Sequence, residues 1–414
     1  MIRTILLGLT VLLTSLSTTA QTSTDSLPTD VLTQFMEDMA GMMTVNKPKE
    51  TETAFRDFEG AFYGGTFTED EKKAILNTGL RMQSRRVNAA QFEDYFNALM
   101  AAKQSTTAAN SVLEWNQVVQ QLLDDEERYR ANAVIDLLEF SSDYFQKQAI
   151  RFSPSSVSWY AFPEKTTWAY TDQPECRATN ALLTAIRSDD SLSIERTNFT
   201  YKPLEKKLYG QGGNTNWART ELGAAVAVEL GSYSLETIRS LYESEEAYLT
   251  YPQYFGAKKI KGNFSDKLVS DDSRTSYPRF ESTEGVINIP NIGDGVRLRG
   301  GFRLHGATTY AVGSRENPAE LVVLNELNQP RFQGVGQLVT VKEQDRIMGE
   351  DVLSIIYLGA DSLYHPSANL RLNLKDMSLE LSRGKDGTFA SVSFYHSLHQ
   401  MNIDADFIKA YLRE

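Results

Sequence analysis

Cysteine occurs once in this chain of 414 residues, at Cys176, and histidine only four times, at His305, His365, His396 and His399. A lone thiol excludes an internal disulfide, so stability in an oxidising compartment has to come from packed cores. Long apolar runs are missing after the first residues, because Asp and Glu interrupt each one, and none reaches the roughly 20 residues that span a bilayer as a helix. Basic clusters are scarce too. The largest is "KKIK" at Lys258 to Lys261, and the formal net charge is −12. Phosphate neutralisation supplies much of nucleic-acid affinity, so this balance argues against a nucleic-acid partner.

Familiar catalytic signatures are absent as well. No Gly-x-Ser-x-Gly elbow occurs, and Cys176 in "DQPECRATN" has no histidine near it in sequence, which favours a buried, inert thiol. "YGQGGNTNW" from Tyr209 to Trp217 lacks the Gly-Lys-Ser/Thr ending of a phosphate loop and reads as a tight turn, with Trp217 over the core. His396 and His399 stand three apart in a segment that reads as strand, which would put them on opposite faces and argues against a metal site. Acidic pairs at Asp189 and Asp190, at Asp271 and Asp272, and around Glu243 to Glu246 read as solvated loop or helix-end charge. Neither cofactor nor catalytic residue emerges, and an enzyme is the less favoured class.

The composition that is present belongs to a folded globular protein, with 41% hydrophobic and 23% charged residues. "MIRTILLGLTVLLTSLSTTA" has basic Arg3, an apolar run from Ile5 to Leu13 and a small-residue end at Ala20, the pattern of a secretory signal peptide over residues 1–20. No cysteine follows Ala20 to carry a lipoprotein acyl chain. The expectation is export to the periplasm, the outer-membrane surface or the extracellular space, with no integral membrane segment unless strands close into a barrel. Acidity is uneven: residues 21–150 hold 12 basic and 21 acidic residues, whereas 151–414 hold 29 and 33. Solubility is the ordinary explanation of that excess.

A spacer at 21–27 leads into a helical domain over 28–148. Thr68 and Glu71 in "TEDEKKAILNTGLRM" stand in the capping-box relation, and Asn88 with Gln91 repeat it less strictly. Apolar residues keep helical spacing at Phe92, Phe96, Leu99 and Met100, and again at Val134, Leu137, Leu138 and Phe145. Five or so helices would form a bundle or array.

Residues 149–256 read as a mixed α/β connecting region, and 257–414 as an antiparallel β domain, truncated at its C-terminus if Glu414 is not the natural end. Alternation is clean in "ANLRLNLKDMSLELSR", and turn residues punctuate the strands at Gly293-Asp-Gly295, Gly300-Gly301 and Lys385-Asp-Gly387. An aromatic-proline opening recurs at Tyr201, Tyr277 and Tyr364, at spacings too irregular for a solenoid repeat. The last segment, "NIDADFIKAYLRE", reads as a helix capped at Asp404 or Asp406.

The segment "VRLRGGFRLHG" offers the one candidate binding row. Val296, Leu298, Phe302 and Leu304 fall on one strand face, and Arg297, Arg299, Arg303 and His305 on the other. Such a row suits an anion, because guanidinium groups grip phosphates and carboxylates through a planar fork. Ordinary cross-strand pairing with acids such as Glu320 or Glu326 is the alternative.

The strings "YKPLEKKLYGQGGNTNW", "YPQYFGAKKIKGNFSDKLVS", "RLRGGFRLHGA" and "YLGADSLYHPSANLRLN" resemble a group of large, uncharacterised exported proteins of Bacteroidota-type bacteria. In that group a helical leader precedes a long β-rich body, and the resemblance covers roughly Trp159 to His399. It implies an exported address and a longer architecture, and it carries no catalytic residues. The expected fold is therefore α+β, a helical N-terminal bundle or array followed by an antiparallel sandwich, jelly roll or layered sheet. The expected function is a non-catalytic envelope or surface protein in a binding or scaffold role, its partner an envelope protein, a glycan or an anionic lipid. A periplasmic lipid or glycolipid carrier with an anion-binding β face and a secreted hydrolase using a carboxylate pair are the alternatives.

Overall fold

The computed structural model describes residues 29–104, 111–125, 127, 130–188, 190–268, 276–384 and 391–413. The leader and spacer expected over 1–27, Asp189, Asp271 and Asp272, and the turn at Lys385 to Gly387 lie outside them. The fold is α+β, with helices gathered at the N-terminal side of one large antiparallel sheet.

Six helices come first: α1 (Thr29–Thr44), α2 (Lys49–Tyr63), α3 (Glu69–Ser84), α4 (Ala89–Gln104), α5 (Ser111–Asp124) and α6 (Ala131–Lys147). Their starts follow from the caps. The Thr68 hydroxyl accepts from the Glu71 amide at 3.3 Å while the Glu71 carboxylate accepts from the Thr68 amide at 2.8 Å. Asn88 and Gln91 close the same reciprocal pair at 3.0 and 3.3 Å. Aromatic packing fills the interior, with Phe58 stacked on Phe96 at 4.0 Å and Tyr95 on Trp115 at 5.4 Å between ring centroids. Asn116 is fully buried there and its polar atoms are used: Oδ1 accepts from the Tyr95 hydroxyl at 2.6 Å and Nδ2 donates to the Val112 carbonyl at 2.8 Å.

The sheet begins with β1 (Ala149–Arg151), β2 (Ser158–Phe162), β3 (Lys165–Tyr170), β4 (Pro174–Arg187), β5 (Asp190–Lys202), β6 (Lys207–Gln211), β7 (Asn214–Trp217), β8 (Gly223–Leu230), β9 (Ser232–Glu236) and β10 (Tyr242–Thr250). After the one-turn helix α7 (Pro252–Phe255) come β11 (Lys259–Asp266), β12 (Arg279–Gly293), β13 (Val296–His305), β14 (Thr308–Val312), β15 (Ala319–Leu324), β16 (Pro330–Gly336), β17 (Leu338–Lys342) and β18 (Arg346–Leu358). The series ends with β19 (Asp361–Asn373), β20 (Ser378–Arg383), β21 (Phe394–His396), β22 (Met401–Ile403) and β23 (Phe407–Tyr411). Residues 149–256, expected to mix helix and strand, thus hold ten strands and the short α7.

Several consecutive short strands form single rows with a break in the middle. β6 and β7 both pair with β5, β14 and β15 both pair with β13, and β16 and β17 both pair with β18. β20 and β21 likewise share β19, and β22 and β23 pair with β21 and β20. Counted by rows, the sheet is a plain meander in which each row pairs antiparallel with the row before and the row after it, with no Greek-key crossing. Gly212 and Gly213 make one such break rather than a reversal, at φ of 71° and 118°. A Cβ at Gly213 would meet Ile194 Cγ2 at 2.8 Å, so the break depends on glycine.

The meander then layers on itself. Trp217 Nε1 donates to the Gly306 carbonyl at 3.0 Å, and Trp159 Nε1 to the Arg239 carbonyl at 3.2 Å, each reaching across several rows. Phe255 of α7 meets Phe302 of β13 edge to face at 5.2 Å. Apolar side chains of every row share this interior with the helices in a single core.

Two expectations about local structure are corrected. Gly300 and Gly301 do not reverse the chain but lie inside β13, opposite Ile287 and Val286 of β12. The C-terminal segment is strand, not helix: Phe407 to Tyr411 pair with Ser382 to Ser378 of β20. Asp404 and Asp406, which look like helix caps, instead receive Arg383, whose Nη1 and Nη2 each lie 2.8 Å from one carboxylate. Pairing with a neighbouring row outweighs a helical spacing this short.

Candidate functional site: a cleft across the outer face of the sheet

Strand β13 has the alternation its sequence implies. Val296, Leu298, Phe302 and Leu304 are buried, while Arg297, Arg299 and Arg303 are exposed and His305 is half-buried on the opposite face. The row is not electrostatically uniform. Glu281 of β12 sits opposite Arg303, with Oε2 at 3.3 Å from Arg303 Nε and Oε1 at 3.4 Å from His305 Nε2. Burial, with Arg279 nearby, lowers the His305 pKa and favours the neutral ring. Arg297 faces Val322 and Arg299 faces Glu320 across β15, yet the Glu320 carboxylate accepts from Gln333 Nε2 at 2.6 Å. Among the described residues neither Arg297 nor Arg299 forms an ion pair within 4 Å. The four residues therefore divide into a pair next to Glu281 and a pair over β15.

Register carries the outer face onward from Arg303. Directly opposite it lies Tyr310 of β14, then Thr340 of β17, Met348 of β18, Arg371 of β19, Glu380 of β20 and Lys409 of β23. Tyr310 also packs against His305, with ring centroids 5.3 Å apart. Beyond Tyr310 the outer face hollows into an open cleft of about 1540 Å³. Tyr310 and Phe407 stand at its two ends, and Lys342, Glu350, Asn369 and Arg371 are among the side chains between them.

A bulge shapes the floor. Pairing between β18 and β19 shifts between Gly349 and Val352, and Asp351 takes a φ of 52°. A Cβ on Gly349 would come within 2.7 Å of Val352 Cγ2, so the bulge requires glycine there. Ser367 Oγ donates to Asp351 Oδ1 at 2.9 Å and holds that carboxylate in place, while Arg383 is committed to Asp404 and Asp406. Lys342, Glu350 and Arg371 form no ion pair within 4 Å among the described residues, which leaves donors of one sign and an acceptor of the other facing the open space.

The other sequence candidates fall elsewhere. Cys176 is fully buried in β4 beneath Tyr144 of α6, and burial pushes its thiol well above the ordinary range. β21 ends at His396, and the following turn brings the His399 ring back over it, with centroids 5.2 Å apart, rather than to the opposite face of a strand. No group of three or more His, Cys, Asp or Glu is placed to hold a metal among the described residues. Glu243, Glu245 and Glu246 lie on β10, a strand rather than a loop, and are exposed. Two carboxyls are raised to about 6. Asp94 on α4 is raised by burial and by Glu139, Glu93 and Asp143, and Asp266 on β11 by burial that outweighs its contact with Arg219. Neither lines the cleft.

No helix among the described residues is long and apolar enough to cross a membrane. Compared with known proteins, the chain matches no family model, no curated protein and no solved structure.

Proposed function

We propose that this chain is an exported, non-catalytic binding protein of the cell envelope or surface, and that the cleft takes an extended glycan. The carrying observation is the cleft's chemistry: aromatic rings at both ends, with uncommitted Lys342, Arg371 and Glu350 between them. An aromatic face covers the apolar side of a sugar ring, and mixed donors and acceptors suit hydroxyl groups better than an anionic headgroup does. A lipid carrier needs an open apolar trough, but Val296, Leu298, Phe302 and Leu304 are packed shut on the inner face. A hydrolase would draw on raised carboxyls converging in the cleft, and Asp94 and Asp266 are remote from it. Export rests on the pattern of Arg3, the Ile5 to Leu13 run and Ala20.

Titration calorimetry of residues 21–414 with soluble oligosaccharides of bacterial envelopes tests this reading. Saturable binding is expected, weakened roughly tenfold or more in Tyr310→Ala and Arg371→Ala with melting temperature unchanged. No binding at millimolar concentration, or variants that bind like the parent, would overturn it.

A further inference from the structure

Two of the four histidines are engaged by their surroundings. Both ring nitrogens of His365 are used, Nε2 with the Val392 carbonyl at 3.0 Å and Nδ1 accepting from the Ser367 amide at 3.1 Å, and His305 faces Glu281 at 3.4 Å. His396 and His399 differ. Among the described residues neither ring forms a hydrogen bond or an ion pair, and His396 Nδ1 is buried without a partner. A buried polar atom left unpaired costs stability, so this nitrogen calls for an explanation.

The turn that joins β21 to β22 places the two rings together. The Ser397 amide donates to the Ser362 carbonyl at 2.9 Å, the Ser362 amide donates to Ser397 Oγ at 2.8 Å, and that hydroxyl donates to Asp361 Oδ1 at 3.1 Å, which ties the turn to the start of β19. Gln400, at a φ of 48°, then returns the chain into β22. Held in this way, the His399 ring lies at 23° to that of His396 with centroids 5.2 Å apart. Met401 is the direct cross-strand partner of His396. Residues directly opposite on an antiparallel pair share a face, with Cβ atoms about 4.5–5.5 Å apart, so the thioether lies on the imidazole's side of the hairpin. The objection that a strand would split the two histidines disappears once the turn is seen.

We propose that His396, His399 and Met401 bind one soft monovalent cation, copper(I). The donor set makes the choice. Thioether sulfur selects copper(I) and imidazole serves it as well, whereas zinc sites are built from thiolate, imidazole and carboxylate. The carboxylate tied to this turn, Asp361, is occupied by Ser397, and the three remaining donors are all neutral, which suits one positive charge better than two. Imidazoles that share a metal at about 2 Å have ring centres roughly 5 Å apart, close to the separation already present. Near-parallel planes do not aim two nitrogens at one point, so binding turns the exposed His399 ring about its Cβ–Cγ bond. The site is independent of the cleft and its ligand.

Titration of the purified chain against the copper(I) complex of bicinchoninate, with ascorbate and without oxygen, is the test. One equivalent of copper withdrawn from the chelator is expected. His396→Ala and His399→Ala should each weaken that affinity roughly tenfold or more, the least that loss of even an outer-shell partner costs a metal site. His399 is exposed, so its variant should keep the parent's melting temperature. Met401→Leu keeps the apolar bulk and should lower copper(I) affinity while leaving zinc(II) affinity unchanged. No copper withdrawn, or histidine variants that match the parent, overturns the proposal. So does zinc(II) held more tightly than copper(I), or full copper affinity in Met401→Leu, since either result leaves a bare imidazole pair.

Discussion

The two ends of the sheet pose one physical problem and meet it differently. At the first end, β1 and β3 are covered by α6 and α5. Trp168 of β3 lies among Phe140, Tyr144 and Phe145, its amide donates to Glu114 at 3.2 Å, and Tyr170 donates to Asp125 at 2.7 Å. At the other end, among the described residues, β22 and β23 pair on one side, and Phe407 is 65% and Tyr411 52% exposed. Exposed edges recruit other chains, and covering one with helices is among the standard remedies. The contrast indicates that the helical region serves the first rows of the sheet as a cap.

The strongest test of that contrast is truncation at the capped end. Trp168→Ala should destabilise the chain by about 3–5 kcal/mol in chemical denaturation, since a large buried ring leaves a cavity between helices and sheet. Asn116→Ala, deeper in the cap, should cost about 1–3 kcal/mol, because the Tyr95 hydroxyl is left buried without its acceptor. Thr68→Ala should cost about 1 kcal/mol through the lost cap of α3.

Acidity sharpens the comparison further. The Asp94 carboxyl is raised to about 6 in the folded chain, above its ordinary value of 3.8, so the folded state binds this proton more tightly. Its contribution therefore favours folding in acid and declines as pH rises from about 4 through about 6. Asp266 acts with the same sign from within the sheet. Asp94→Asn should remove only the cap's share, flattening the fall in denaturation midpoint between about pH 4 and about pH 6. A fall equally steep in the variant would show that acids between α4 and α6 do not load the cap. The smallest effect belongs to the last row: Phe407, 65% exposed, should change stability by no more than about 0.5 kcal/mol when replaced by alanine.

Much of this was legible residue by residue, and the limit was reached where rows had to be aligned. Capping boxes at Thr68 and Asn88 marked helix starts because they are local chemistry, and the two-residue period of β13 marked its buried face. Phe407, Ile408, Tyr411 and Leu412 fit a helical stripe, but in the fold Ile408 and Ala410 face inward together, and only pairing with β20 decides between the two periods. The cleft was hidden for the same reason. Tyr310, Met348 and Arg371 are far apart in sequence, and their alignment depends on successive hairpin registers plus a bulge at Gly349. Arg303 was visible as an outward cation, whereas its neutralising partner Glu281 became visible only once β12 was laid beside it.

The row-by-row connectivity also bears on how the chain acquires its shape. Every ladder joins segments that follow one another along the chain, so each pairing closes a short loop and costs little entropy. Once the cap has formed, each new row finds its template already laid down and presents a fresh one to the next. Folding in such a molecule is expected to advance as a front from α6 toward β23, with contacts such as Trp217 to Gly306 locking each completed layer behind it.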